Sequence, residues 1–274
     1  MEHIDLHTHS TASDGLFAPA ELLRQAHEAG LTTIALTDHD STDGLAEAFS
    51  AGNKYGIEVI PGVEINTDLP NQSGEAHVLG YFLDYSNEDF QAKLSERRSH
   101  REQRGRNMVD NLRKIGIPIT YDMVKKHADG AVGRPHVAAA LIEIGAASSV
   151  PDAFDRYLKR GKPGYAPRNP FLPTEAVKLI ASAGGLASLA HPLFIADLEH
   201  HLAKLTDFGL KGLEVYYGEY SDSDIASLLQ LCQKFSLIPT GGSDYHGPGI
   251  HPTALGGRYV PPESLSRLRS LKAN

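Results

Sequence analysis

Histidine and acidic side chains recur along this sequence wherever a short apolar segment ends. The candidate metal ligands are His7, His9, Asp14, His39, Glu64, His77, His191, Asp244 and His246. Imidazole and carboxylate groups without a thiolate favour Mn, Zn or Fe over Ca or a structural Zn site. Because an open catalytic site uses about three protein ligands per ion, this set predicts two to three divalent metals, with Mn as the first choice and Zn or Fe as alternatives.

The spacing of the ligands indicates how they can share an ion. His7 and His9 are two residues apart, and so are Asp244 and His246. On an extended strand, residues two apart point to the same face, so each pair can bind one metal. Glu64 can bridge two metals, because a carboxylate has two oxygens.

The ligands lie on a chain that alternates strand and helix patterns. Residues 3–9 alternate polar and apolar side chains as a strand does, and residues 19–30 follow as a helix. Further strands are predicted at 32–40, 58–65 and 77–83. This alternation predicts a parallel sheet closed into a barrel. The active site of such a barrel lies at the carboxyl ends of its strands.

The alternation stops at Asn87, a candidate cap for a long polar helix. After this point the chain reads as helices and a connector rich in Gly and Pro until strands resume. We therefore expect residues 87–168 to form a small helical insertion. The barrel is then built from residues 1–86 and 169–274.

A phosphate-binding position is predicted inside the insertion, in the segment Gly133-Arg134-Pro135-His136 that opens a helix pattern. Arg134 can grip a phosphate with two parallel hydrogen bonds, and a helix N-terminus adds its own affinity for anions. The alternative is an ordinary solvated helix start.

Composition excludes several classes of protein. The length of 274 residues fits one barrel with room for an insertion, and the net charge of −8 argues against binding to long nucleic acid by bulk charge. A nucleotide or short oligonucleotide is still compatible with that charge. No signal peptide or apolar span is recognisable, so we expect a cytoplasmic protein. The single cysteine, Cys232, excludes an internal disulfide framework.

Together the motifs resemble those of the PHP (polymerase and histidinol phosphatase) family. The matching segments are His7-Thr8-His9, Ser13-Asp14-Gly15, Asp38-His39, Gly62-Val63-Glu64, His77, Ala190-His191-Pro192 and Gly242-Ser243-Asp244-Tyr245-His246. The resemblance covers essentially the whole chain. It implies an α/β fold, a distorted, TIM-like (β/α)7 barrel, with a trinuclear metal site for phosphoester hydrolysis.

The resemblance also implies a grouping of the ligands. The first metal would be held by His7, His9, Glu64 and Asp244. The second would be held by Glu64, His77 and His191. The third would be held by Asp14, His39 and His246.

The segment around Arg134 is similar to one found in a PHP subgroup. That subgroup includes nucleoside-bisphosphate phosphatases and a 5′-to-3′ exoribonuclease that trims short RNA. Its small helical insertion covers the mouth of the barrel, so the resemblance implies that Arg134 and His136 bind the phosphate of the substrate.

Three more residues share the predicted site. An acid beside a metal-bound imidazole fixes its tautomer and orientation, and Asp5 and Asp38 are candidates for this role. Asp38 is also a candidate catalytic residue through contact with the substrate, unless it only caps the end of its strand. His3 lies on the same strand face, and we expect it to be structural.

The favoured function is hydrolysis of a phosphate monoester of a small nucleotide, such as a nucleoside 3′,5′-bisphosphate or an AMP-like molecule, by a metal-activated hydroxide. The alternative is a 5′-3′ exoribonuclease that releases mononucleotides from short 5′-phosphorylated RNA. A histidinol-phosphate phosphatase and a non-catalytic PHP module are more remote. The expected partners are therefore a phosphorylated nucleotide or short RNA, with no membrane and no long DNA, and the oligomeric state is open.

Overall fold

A computed structural model describes residues 2–69, 74–128, 132–167 and 169–273 of the chain. Seven strands form one sheet in which each strand pairs with the next along the chain. The strands are β1 (Ile4–Thr8), β2 (Thr33–Leu36), β3 (Glu58–Asp68), β4 (Glu75–Tyr81), β5 (Leu186–Leu189), β6 (Gly212–Tyr217) and β7 (Ile238–Gly242). Arg168, the predicted last residue of the insertion, and the terminal residues Met1 and Asn274 lie outside the described residues.

Helices lie in the longer connections between the strands and after β7. They are α1 (Pro19–Glu28), α2 (Leu45–Tyr55), α3 (Glu88–Lys114), α4 (Tyr121–Lys125), α5 (Arg134–Glu143), α6 (Val150–Ala153), α7 (Pro173–Ser182), α8 (Leu198–Asp207), α9 (Asp222–Phe235) and α10 (Pro262–Lys272). A π-helical turn (Phe154–Leu158) follows α6, and a 3-10 turn (Pro192–Phe194) follows β5. Among the helices of the described ranges, none is long and apolar enough to cross a membrane.

The sheet is mixed, which corrects the predicted parallel sheet. Strand β4 runs antiparallel to both β3 and β5, whereas the other neighbours are parallel. A parallel pair needs a crossover of about a dozen residues or more. The connection between Asp68 and Glu75 is too short for that, so the chain turns back on itself. As a result the amino end of β4 lies at the edge where its neighbours end.

The sheet is nearly closed into a barrel. The backbone N–H of Asp244 donates to the carbonyl of His7 at 2.9 Å, and that of His9 donates to the carbonyl of Tyr245 at 3.0 Å, so the segment after β7 continues the pairing with β1. A Cβ atom on Gly242 would lie 2.4 Å from the backbone nitrogen of His7. Glycine is therefore required where β7 approaches β1, and this approach brings the ligands after both strands together.

Apolar side chains fill the space between the strands and the helices. Ile4 and Leu6 of β1 pack with Leu265 and Leu268 of α10 in one buried cluster. A second cluster joins α1 and α2 to β2. Successive residues of β2 belong to different clusters, since Ile34 and Leu36 pack in the second and Ala35 packs in the first, as expected where side chains of a strand point alternately to opposite faces.

The chain separates into two compact units, Met1–Ala92 with Pro170–Asn274, and Lys93–Asn169. The second unit has its own buried core, in which Leu112 of α3 packs with Leu141 of α5 and Leu158. Helix α3 begins as predicted, because the backbone N–H of Phe90 donates to Asn87 Oδ1 at 2.9 Å.

Candidate metal centre

All nine predicted ligands lie in the barrel unit, on a strand or in the segment that follows one. His7, Glu64 and His77 are within β1, β3 and β4. The others follow β1, β2, β5 or β7, and they are His9, Asp14, His39, His191, Asp244 and His246. His77 lies near the amino end of β4, opposite Asn66 of β3, so the expectation that every ligand follows an apolar strand is wrong for this residue. The reversed strand still delivers it to the same edge.

Glu64 lies at the centre of the cluster, and its two oxygens face different imidazoles. Its Oε1 atom is 2.9 Å from His77 Nδ1 and 3.1 Å from His191 Nε2. Its Oε2 atom is 3.2 Å from a ring nitrogen of each of His7, His9 and His39. Because each oxygen faces a different set of imidazoles, the carboxylate can offer one oxygen to each of two metal positions.

A first group of ligands forms around Glu64 Oε2 and Asp244. Asp244 Oδ1 is 3.2 Å from the Nε2 atoms of both His7 and His9. One ligand atom from each of these four residues lies within 4.8 Å of the others. This is the set that the resemblance to the PHP family implies for one ion.

Another group forms around Asp14, in the turn after β1. Asp14 Oδ1 is 3.3 Å from His246 Nε2, and its Oδ2 is 3.7 Å from His39 Nε2. The ring of His9 stacks on that of His246 with centroids 4.0 Å apart, so His9 lies between this group and the first one. The three residues predicted to share an ion are thus adjacent.

The chemistry of the cluster fits bound cations. Among the described residues, four atoms of the ligand set are buried without a hydrogen-bond partner: His9 Nδ1, His9 Nε2, Asp14 Oδ1 and Asp244 Oδ1. Buried polar atoms are nearly always paired, because leaving them unpaired costs free energy. Divalent metals among these nitrogens and oxygens would satisfy them.

The electrostatics of the cluster favour ionised carboxylates. Burial alone would raise the pKa of Glu64 and Asp244, but neighbouring imidazoles such as His7 hold both well below their usual values. Burial lowers the pKa of His39 to about 4, against the effect of Glu64, so this imidazole is neutral and can bind a metal. For His9 burial acts in the same direction, but Asp244 and Glu64 outweigh it and raise the pKa to about 10. Metal binding must therefore displace a proton from His9.

Three of the six non-glycine residues with positive φ in the described ranges lie among or beside the ligands. Asp40, His191 and Asp244 have φ angles of 48°, 28° and 54°, in the left-handed region that non-glycine residues rarely adopt. Each follows a strand of the barrel. Such conformations persist where the surrounding contacts over-determine them, and they cluster at functional sites.

Among the supporting residues that the sequence reasoning missed are Glu214 and Tyr217 of β6. Buried Glu214 accepts from His7 Nδ1 at 2.8 Å and from the backbone N–H of His191 at 2.6 Å. The Tyr217 hydroxyl donates to Asp244 Oδ2 at 3.0 Å. An acid inside the apolar strand GLEVYY was the available signal for Glu214. An irregularity between Glu214 and Tyr216 brings Tyr217 to the same side, which strict alternation would not predict.

Asp5 and Asp38 bind loops rather than imidazoles. Asp38 Oδ1 accepts from the backbone N–H of Ser10 at 2.7 Å and from the Ser13 hydroxyl at 2.6 Å, and Oδ2 accepts from the Ser10 hydroxyl at 2.7 Å. Asp5 accepts in the same way from the backbone and hydroxyl of Ser243, at 2.9 Å and 2.6 Å. The imidazole-orienting role expected of these acids belongs to Glu214, and Asp38 holds the loop that carries Asp14.

The remaining predicted residues lie elsewhere. His3 Nε2 is 3.0 Å from the carbonyl of Gly256, a structural contact. Arg134 and His136 lie in the first turn of α5, within the second unit. There the backbone N–H of Gly133 donates to His136 Nδ1 at 3.0 Å, and the Arg134 guanidinium is 5.6 Å from the centroid of the Phe154 ring.

Comparisons with known proteins agree with this site. A 5′-3′ exoribonuclease of Haemophilus influenzae is 38% identical over 249 residues, which are 89% of this chain and 90% of the relative. A 3′,5′-nucleoside bisphosphate phosphatase of Chromobacterium violaceum is 33% identical over 255 residues, 91% of this chain and 89% of the relative. The crystal structure of a candidate metal-dependent phosphoesterase from Bifidobacterium adolescentis superposes with a TM-score of 0.80 at 30% identity, covering 98% of this chain and 96% of the other.

The family assignment rests on a direct match as well. Residues 5–160 match the model of the PHP domain. The resemblance found in the sequence motifs is therefore confirmed, as is the barrel fold that it implied. The chain belongs to the PHP family and is a hydrolase that acts on phosphoric ester bonds.

Proposed function

We propose that this chain removes a phosphate group from a small nucleotide, such as a nucleoside 3′,5′-bisphosphate or an AMP-like molecule. The observation that carries the proposal is that the two carboxylate oxygens of Glu64 face different imidazoles. Its Oε1 faces His77 and His191, and its Oε2 faces His7, His9 and His39. A carboxylate shared in this way is typical of sites in which several metals clamp a phosphoryl group.

Two to three divalent metals fit the cluster, and Mn is the ion we propose. The proposed first group is His7, His9, Glu64 and Asp244. The second is Glu64, His77 and His191, and the third is Asp14, His39 and His246. When bound, such ions polarise phosphoryl oxygens and activate a water molecule.

The protein side chains bind and orient the substrate. We propose that Arg134 and His136 bind its phosphate, because a guanidinium matches the geometry of a phosphate and a helix N-terminus adds its own affinity for anions. Glu214 orients the ring of His7 by accepting from its Nδ1 atom, which leaves Nε2 for the metal. The carboxylates of Glu64 and Asp244 stay ionised and would hold the metal cations, whose positive charge attracts the phosphate.

A second candidate function is 5′-3′ trimming of short 5′-phosphorylated RNA. The observation that favours it is the higher identity to the exoribonuclease, 38% against 33% for the bisphosphate phosphatase. Both reactions cleave a phosphoester near the end of a nucleotide, so one metal centre serves either. The proposed location for either substrate is the cytoplasm.

A side-by-side assay of the Mn-loaded protein tests both candidates. One sample contains adenosine 3′,5′-bisphosphate, and the other contains a short 5′-phosphorylated oligoribonucleotide. Phosphate release from the first without shortening of the second supports the phosphatase, whereas stepwise release of mononucleotides from the second supports the exoribonuclease. Protein treated with a chelator and then reloaded with Mn is the matched control. Activity that survives removal of the metal, or no activity on either substrate, contradicts the proposal.

A further inference from the structure

An exposed aromatic side chain lies directly beside the metal centre. Phe194 is 69% exposed and ends the 3-10 turn that follows the ligand His191. The centroid of its ring is 5.9 Å from that of His191. Leu193, 41% exposed, extends this apolar surface. Phe194 is neither a proposed metal ligand nor a proposed phosphate-binding residue.

The turn that carries Phe194 is fixed at several points. The backbone N–H of His191 donates to Glu214 Oε2 at 2.6 Å, and that of Leu193 donates to the Tyr220 hydroxyl at 3.1 Å. The following residue, Ile195, is buried and donates its N–H to the carbonyl of Pro192 at 3.0 Å. The exposure of Phe194 therefore belongs to an anchored turn, which can present a ring in a defined place.

Aromatic neighbours support the ring from one side. The Tyr217 ring lies 6.4 Å from that of Phe194 at an interplanar angle of 87°, and Tyr217 itself packs 5.1 Å from Tyr220. Edge-to-face pairs of this kind are favourable. Phe194 is thus held against the protein while most of its surface stays open to solvent.

We propose that Phe194 is a stacking platform for the base of the nucleotide whose phosphate lies at the metal centre. This inference rests on the proposed function, since it requires a substrate that carries a base. In a nucleotide one ribose separates the phosphate from the base, and Phe194 directly adjoins a metal ligand. An aromatic ring can stack on any base, so the platform selects nucleotides over other phosphate esters without fixing the base.

Two substrates separate the role of the base from the chemistry. AMP and ribose 5-phosphate carry the same phosphoester, and only AMP carries a base. In the Phe194→Ala variant we expect kcat/KM for AMP to fall about tenfold, the size of one lost base–aromatic stack, mainly through a higher KM. The kcat/KM of this variant for ribose 5-phosphate should stay at the wild-type level. The Phe194→Trp variant keeps the preference for AMP, because it keeps a ring.

Binding of the base can be measured by tryptophan fluorescence, because the sequence contains no tryptophan of its own. Phe194→Trp and Leu271→Trp each introduce the only tryptophan of the chain. Leu271 is 43% exposed, and its neighbour Lys272 binds the carbonyl of Gly184 in the turn before β5, at the opposite end of that strand from His191. The non-hydrolysable phosphonate of AMP should quench the fluorescence of the first variant and leave the second unchanged. The matching phosphonate of ribose should quench neither.

The two measurements distinguish failure of this inference from failure of the proposed function. Equal losses on AMP and ribose 5-phosphate in Phe194→Ala, or no quenching of Phe194→Trp by the AMP analogue, overturn the stacking platform and leave the phosphatase standing. If the wild-type protein hydrolyses neither compound and also fails on adenosine 3′,5′-bisphosphate, the proposed function fails. Quenching by the AMP analogue alone then still supports a base-binding position at Phe194.

Discussion

The metal centre contains two sets of acids with opposite surroundings. One is the ligand layer, represented by Glu64, Asp14 and Asp244, which face imidazoles. The other is the supporting layer of Asp5, Asp38 and Glu214, which accept hydrogen bonds from loops and from His7. The Oδ1 atoms of Asp14 and Asp244 have no hydrogen-bond partner among the described residues, whereas Asp5 and Asp38 each accept several hydrogen bonds.

The pKa shifts show the same contrast. Burial raises the pKa of Asp5 and Asp38. The hydrogen bonds from serines and backbone at Asp5, and the charge of His9 together with such hydrogen bonds at Asp38, only oppose it. Burial acts on Asp14 and Asp244 as well, but imidazoles outweigh it and lower both pKa values. Aspartates of the same site, such as Asp5 and Asp14, therefore differ in the direction of their pKa shift. The ligand layer keeps charge for a cation, and the supporting layer holds the loops that carry the ligands.

The largest expected effect tests the ligand layer. The Glu64→Gln variant keeps the size of the side chain but loses the charge shared by five imidazoles. We expect turnover to fall about 1000-fold or more, because the metals supply several kcal/mol of transition-state stabilisation. The bound metal measured by mass spectrometry should fall as well, while the far-UV circular dichroism spectrum stays unchanged.

A matched control is Glu263→Gln, which makes the same change on the exposed first turn of α10. It should retain full turnover and metal content. Wild-type turnover in the Glu64→Gln variant would contradict the assignment of the metal centre.

A smaller effect is expected from the Glu214→Gln variant of the supporting layer. Glu214 binds His7 Nδ1 and the backbone of His191, so it orients two ligands without facing a metal position. Loss of such a contact typically costs about 10–100-fold in metal affinity or activity. Excess metal should restore part of the turnover. If no metal concentration does so and the loss equals that of Glu64→Gln, Glu214 is itself a ligand and the two layers are not separate.

The comparison also shows what sequence reasoning can reach. The ligand layer was predicted from residue type and position, since His, Asp and Glu at strand ends of a barrel must converge. The direction of β4 was not, because side chains alternate identically in parallel and antiparallel strands. Tyr217 depends on a strand irregularity, and the partners of Asp38 depend on the path of the loop through Ser10 and Ser13. Neither leaves a periodic pattern in the sequence.

A third prediction decides between positioning and catalysis for Asp38. The Asp38→Ala variant leaves the backbone N–H of Ser10 and the hydroxyls of Ser10 and Ser13 without their acceptor, which should lower the free energy of unfolding by about 1–3 kcal/mol. Urea unfolding measures this loss. Asp38→Asn keeps one acceptor oxygen and offers a donor to the Ser10 hydroxyl, so it should restore both stability and turnover. Restored stability without restored turnover would instead make Asp38 a catalytic residue.

The smallest effect is expected at a hydrogen bond to the ligand layer, which the Tyr217 hydroxyl donates to Asp244 Oδ2 at 3.0 Å. The Tyr217→Phe variant removes this one hydrogen bond, worth about 1 kcal/mol, so metal affinity should fall about fivefold. Tyr220→Phe is the matched control, because that hydroxyl binds the backbone of Leu193 instead of a ligand. Titration with Mn in the presence of a competing chelator measures both affinities. Equal affinities in the two variants would mean that Asp244 is oriented by its imidazole neighbours and its strained backbone alone, and Tyr217 would then belong only to the aromatic support of Phe194.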